Sequence, residues 1–153
     1  MTTPDEAITH LILEIFRLNG RLLGSGDALV RDIGLTSARW QVLGAIVMSS
    51  VPLPVAHLAR NIGLTRQAVQ RVVNEMKEEG LVRFGPNPHH QRSRLVFITS
   101  QGEKAYQAAM KRQGPWAARL AIGLDFQQIE TARTVLQAIR QCLEESPQEG
   151  DRA

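Results

Sequence analysis

The sequence predicts a mainly α-helical chain with one small β-hairpin, an α+β arrangement within a single chain covering residues 1–153. Three observations carry this. Apolar residues recur at three- and four-residue steps in several segments, the mark of one-sided helices. Leu81-Val82-Arg83-Phe84 and Leu95-Val96-Phe97-Ile98-Thr99 are short runs rich in β-branched and aromatic residues. Between them, Gly85 to Arg94 holds a glycine, two prolines and a polar, basic centre, which suits a protruding hairpin tip and no helix. At 17.0 kDa the chain has the size of one domain, or of one domain with a helical extension.

The elements follow in order. Residues 5–24 form an amphipathic helix, with Ile8, Leu11, Ile12, Ile15, Leu18, Leu22 and Leu23 on one face. Gly24-Ser25-Gly26 interrupts the pattern, and the helix is expected to fray or bend there. A second helix starts after Thr36 or Ser37, both good caps, and runs to about Met48. Ser49-Ser50-Val51-Pro52 is a loop. Pro54 suits a first helical position, and the short helix after it runs to Asn61. Gly63 breaks it, and Thr65 caps a longer helix ending near Glu79 and Gly80. After the hairpin, helix resumes near Ser100, with a kink expected at Gly114-Pro115 because proline lacks an N–H. Asp125 caps a last helix whose Ile129, Ala132, Leu136, Ile139 and Leu143 form an apolar stripe. The tail after Ser146 is polar and is read as loose.

Composition removes several classes of function. One cysteine allows neither an intramolecular disulfide framework nor a cysteine-based zinc site. No apolar run approaches the roughly 18–20 residues that span a bilayer. Met1 to Glu6 lacks the basic and apolar regions of a signal peptide, so a cytoplasmic protein without a membrane partner is expected. The sequence holds no GxSxG, P-loop, GxGxxG or HExxH motif, so no enzyme is expected. His10, His57 and the adjacent His89-His90 lack the spacing of a metal pair, and no cofactor or metal is expected. Cys142, beside the last apolar stripe, is read as an inert thiol.

Charge is more informative by position than by sum. The chain carries +3, yet Leu53 to Thr99 alone holds seven basic and three acidic residues, a segment charge of +4. A locally basic region between near-neutral flanks points to a polyanion.

Val55 to Asn74 carries the strongest signal. A helix-turn-helix needs a short support helix, a tight turn and a second helix crossing steeply. Leu58, Ile62, Leu64, Val69 and Val72 are placed to fill the angle, Ala59 allows close approach, and Gly63 allows the turn. The other face of the second helix is Arg66, Gln67, Gln70, Arg71 and Asn74, with no carboxylate before Glu75. Arg pairs with guanine and Gln or Asn with adenine in the major groove, while carboxylates repel phosphate. A plain solvated helix face is the alternative, and the turn motif argues against it. Arg92 and Arg94 lie just past the hairpin tip, where a basic wing reaches phosphate or minor groove; the alternative is a surface loop with incidental arginines.

The order helix, helix, helix-turn-helix, hairpin, two helices resembles the multiple antibiotic resistance regulator (MarR) family over about residues 5–145. The carrying segments are Leu58 to Arg71, Glu79-Gly80-Leu81-Val82, Asn87-Pro88 through Arg92, and Leu95 through Thr99 with Gly102. The resemblance implies a winged helix-turn-helix at 35–99, flanked by helical dimerisation regions at 5–30 and 100–146. It implies a homodimer that binds double-stranded DNA at a pseudo-palindromic operator, as a repressor in the first instance, and that a small-molecule effector can release. On this reading Thr65 and Arg66 grip phosphate, Gln67, Gln70 and Arg71 read base edges with Asn74 further along, and Arg92 and Arg94 add wing contacts. His10, Arg17 and Trp40 are candidate effector contacts. Where the family wing usually carries an aspartate two residues before its arginine, this chain has His90. No acidic side chain there stiffens the wing, and a protonated His90 adds charge toward DNA. The competing reading is a winged-helix interaction module whose basic face meets an acidic protein.

Overall fold

The computed structural model describes residues 3–146, which fall into two compact units, one up to Gln113 and one from Gly114 onward. In chain order the elements are α1 (Pro4–Val30), a short 3-10 turn (Arg31–Ile33), α2 (Ser37–Met48), β1 (Leu53–Pro54), α3 (Val55–Ile62), α4 (Arg66–Glu78), β2 (Val82–Gly85), β3 (Leu95–Ile98), α5 (Ser100–Leu120) and α6 (Phe126–Glu145). The fold class is as expected: helices around a small antiparallel sheet. The polar tail after Ser146 lies outside the described residues.

The caps explain the helix starts. Thr3 and Glu6 form a reciprocal capping box at α1, and Asp125 and Gln128 form another at α6. Thr36 and Thr65 accept from the Arg39 and Ala68 amides at 3.2 and 3.1 Å, so α2 and α4 begin where the sequence indicates.

α1 departs from expectation. It does not break at Gly24-Ser25-Gly26 but continues to Val30. The reason is tertiary. Gly26 is buried, and a Cβ there would overlap the Ser37 hydroxyl. That hydroxyl donates to the Leu23 carbonyl at 2.8 Å, and the Ser37 amide donates to Asp27 Oδ1 at 2.6 Å. The glycine lets α2 start against α1, and those bonds offset its low helix propensity.

The sheet has one strand more than the sequence shows. Its order is β1-β3-β2, with Leu53 opposite Val96 and Pro54 opposite Leu95. Two residues are too few to leave a period, and Pro54, unable to donate, sits on an edge strand, where its missing N–H is tolerated. Pro54 is also the residue before α3 rather than its first residue. In the β2–β3 hairpin, Val82, Phe84, Val96 and Ile98 belong to or pack against the core, and Phe97 lies on the other side over Gly85.

The core of this first unit is Val42 and Leu43 of α2, Leu58 of α3, Val69, Val73 and Met76 of α4, and Val82 and Val96 of the hairpin, with Val30 and Ala109. α5 continues as helix through Pro115. In the second unit, Gly123 at φ 82° turns the chain and α6 buries none of its residues. Phe126, Ile129, Leu136 and Leu143 are all exposed, as are Ile8, Phe16, Leu18 and Leu22 on α1. Cys142 is exposed too.

Candidate nucleic-acid interface

α3 and α4 meet at Gly63, which holds φ 71°, ψ 28°, the left-handed conformation that ends a helix in a tight turn. The Leu64 amide donates back to the Ala59 carbonyl at 3.1 Å and closes that turn. α4 then divides cleanly. Val69, Val72, Val73 and Met76 are buried, while Arg66, Gln67, Arg71 and Asn74 are exposed and Gln70 is half-buried. One open surface is lined by Arg66, Gln67, Gln70, Arg71, Asn74 and Glu75.

The wing joins this surface. A cleft of about 150 Å³ is lined by Pro54, Val55, Ala56, Arg66, Gln70, Phe84, Arg92, Ser93 and Arg94. Three arginines from two elements converge there, and none of the residues lining it is acidic. Gln70 belongs to both surfaces, so it stands where helix and wing meet. Arg94 lies over the Phe84 ring, 4.2 Å from its centre, which fixes it at the wing base. Arg83 stacks on Phe97 at the same distance.

Three features beyond the sequence-based expectations shape the site. Asn87 closes the wing: its Nδ2 donates to the Ser93 carbonyl at 2.8 Å, and its Oδ1 accepts from the His89 amide at 3.0 Å. The loop without an aspartate at His90 is therefore pinned by an amide instead. Next, Gln70 Nε2 donates to Asn74 Oδ1 at 2.9 Å, tying two site residues into one unit. Last, Arg39 of α2 forks onto both oxygens of Glu79 at 2.7 and 2.9 Å, reaches Glu75 at 3.5 Å, and donates to the Gly34 carbonyl at 3.1 Å. The hydrogen-bonded Glu79 carboxylate raises the Arg39 guanidinium above its ordinary value, against the opposing effect of burial. This pairing ties Glu75 and Glu79, at the C-terminal end of α4, to α2. An i, i+4 polar pair such as Gln70 and Asn74 is visible in sequence; a contact between positions 39 and 79 is not.

The candidate effector residues fall in different settings. His10 is exposed on α1, Arg17 pairs with Glu14 at 3.4 Å, and Trp40 packs half-buried against the core. Arg112 of α5 binds both oxygens of Asp32 and the Leu29 carbonyl, and it holds the Asp32 carboxyl below its ordinary range. Among the described residues no three His, Cys, Asp or Glu side chains gather to hold a metal, and no helix is long and apolar enough to cross a membrane.

Residues 33–93 match the sequence profile of the MarR family. Over 132 residues the chain is 36% identical to an uncharacterized protein of Mycobacterium tuberculosis, covering 86% of this chain and 91% of that one. It is 30% identical to the transcriptional activatory protein BadR of Rhodopseudomonas palustris over 67% of this chain and 59% of BadR. Among solved structures, the M. tuberculosis transcriptional regulator MosR in complex with DNA superposes with a TM-score of 0.72 at 25% identity, over 86% of this chain and 96% of that one. CouR of Rhodococcus jostii bound to p-coumaroyl-CoA shares the fold, with a TM-score of 0.74 at 23% identity over 91% and 95% of the two chains. A positive-φ turn, a helix with one polar, carboxylate-poor side and a basic wing are thus found in the company of known regulators, and the chain belongs to the MarR family of winged-helix transcriptional regulators.

Proposed function

We propose that the protein acts as a homodimer that seats α4 of each copy in the major groove of a pseudo-palindromic operator. The observation that carries this is the continuous surface from Gln67, Arg71 and Asn74 through Gln70 to Arg66, Arg92 and Arg94, with Glu75 at its edge and in contact with Arg39. On this surface Thr65 and Arg66, at the positive end of the α4 dipole, grip phosphate. Gln67, Gln70 and Arg71 reach base edges, with Asn74 beside them. Arg92 and Arg94 hold the backbone or the adjacent minor groove.

The dimer reading rests on α1 and α6, each of which leaves large apolar side chains in water. A second copy covering them would remove more exposed apolar surface than a stable monomer carries. Two copies related by a twofold axis would set their reading helices roughly 34 Å apart, one turn of B-DNA. Release by a small-molecule effector fits the same scheme, provided the ligand prefers a dimer whose helices are wrongly spaced. The fold shared with CouR supports that form of control, and an operator that overlaps the polymerase's own site would make the protein a repressor.

Fluorescence anisotropy on the selected operator and on random duplex, across salt concentrations, tests the assignment. Gln67→Ala should erode sequence preference by about 1–3 kcal/mol if a bidentate contact is lost. Arg92→Ala should weaken both duplexes alike and flatten the salt slope by about one unit. Equal effects of both substitutions on the two duplexes would show that readers and grips are wrongly assigned. Binding only to an acidic protein, and to no duplex at low salt, would favour the interaction-module reading.

A further inference from the structure

The Gln70 and Asn74 side chains stand one helical turn apart on α4, and their amides are joined by the Gln70 Nε2 to Asn74 Oδ1 bond of 2.9 Å. A glutamine amide offers two N–H donors and one carbonyl oxygen. Gln70 spends one donor on Asn74 and keeps one N–H and its Oε1. That remaining edge, one donor beside one acceptor, complements the major-groove edge of adenine, which presents the N7 acceptor and the N6 amino donor. Guanine presents two acceptors, O6 and N7, and leaves Oε1 unmatched. Cytosine and thymine each satisfy only one half of the edge.

An unrestrained glutamine turns its amide over at little cost and reads ambiguously. Here the Gln70 amide cannot turn alone, because Oε1 would meet Asn74 Oδ1, two acceptors face to face; both amides would have to turn together. Gln70 is also half-buried where the α4 surface meets the wing cleft. We propose that Gln70 reads an adenine in each operator half-site and that Asn74 is the positioning residue holding the Gln70 amide in its reading orientation. This rests on α4 being the groove-facing helix and adds the base it selects.

The test compares wild type, Gln70→Ala, Asn74→Ala and the double variant. Each selects duplexes from a random pool, and each is then titrated on the wild-type selected site. The base pair at which Gln70→Ala loses preference should be A·T. Placing 7-deazaadenine there should cost wild type roughly tenfold and cost Gln70→Ala nothing further. Asn74→Ala should relax the same base pair, and the double variant should do no worse than Gln70→Ala. A G·C pair at that position overturns the proposal, as does an Asn74→Ala effect at a different base pair or one that adds fully to Gln70→Ala. A wild-type site that Gln70→Ala leaves unchanged overturns this proposal alone. Failure of wild type to enrich any duplex overturns the groove-facing reading with it.

Discussion

Replacing Arg39 with glutamine probes how the reading helix is held. The guanidinium makes a forked pair with Glu79, a longer contact to Glu75 and a bond to the Gly34 carbonyl. The Arg39 side chain is 15% exposed and each glutamate 51%. A fully exposed pair is worth about 0.2–1 kcal/mol, and a hydrogen bond to a charged group about 1.5–3. The half-exposed carboxylates can recover water, which limits the loss, so Arg39→Gln should destabilise by about 1–2 kcal/mol. For a chain of this size that lowers the melting temperature by roughly 2–8 °C. Arg39→Lys keeps the charge but not the fork, and should recover only part of the loss. DNA binding should weaken on operator and random duplex together, because α4 loses its tether and two carboxylates are freed near phosphate while no base contact is removed. Calorimetry and anisotropy on the three proteins measure both effects. An Arg39→Gln protein that melts and binds like wild type would refute the argument, and so would full recovery by lysine as far as the fork is concerned.

Two further outcomes follow from local geometry. Gly63→Ala forces a Cβ into φ 71° with open space around it, so backbone strain alone should cost about 1–2 kcal/mol, less for Gly63→Asn; equal melting of all three proteins would contradict this. Gly102→Ala would overlap the Leu81 carbonyl oxygen, which is backbone and cannot rotate away, so urea denaturation should show a loss of about 2–3 kcal/mol.

What the sequence reveals and what it hides divide along contact distance. Thr65, Gly63, Val69 and Val72 act within a turn or two of chain, and their spacing alone marks the helix-turn-helix, whereas Leu64, expected to fill the angle between the two helices, is exposed. Gly24-Ser25-Gly26 misleads because the reason for Gly26 is Ser37, a partner on the next helix. The grip of Arg39 on Glu79 joins residues forty apart and has no local signature. The wing shows the same contrast. The missing aspartate before Arg92 is plain in the sequence, whereas its substitute, Asn87 reaching Ser93, depends on how the loop closes. The apolar stripe of α6 was legible as amphipathic, but periodicity says only that something covers it.

The most direct test of the account is to insert five base pairs at the centre of the operator selected by the wild-type protein and measure binding again. Half a helical turn carries the two half-sites to opposite sides of the duplex without changing either sequence. If a twofold dimer inserts both α4 helices together, affinity for the lengthened site should fall toward that for random duplex. Undiminished binding would contradict a paired grip and leave each winged unit acting alone.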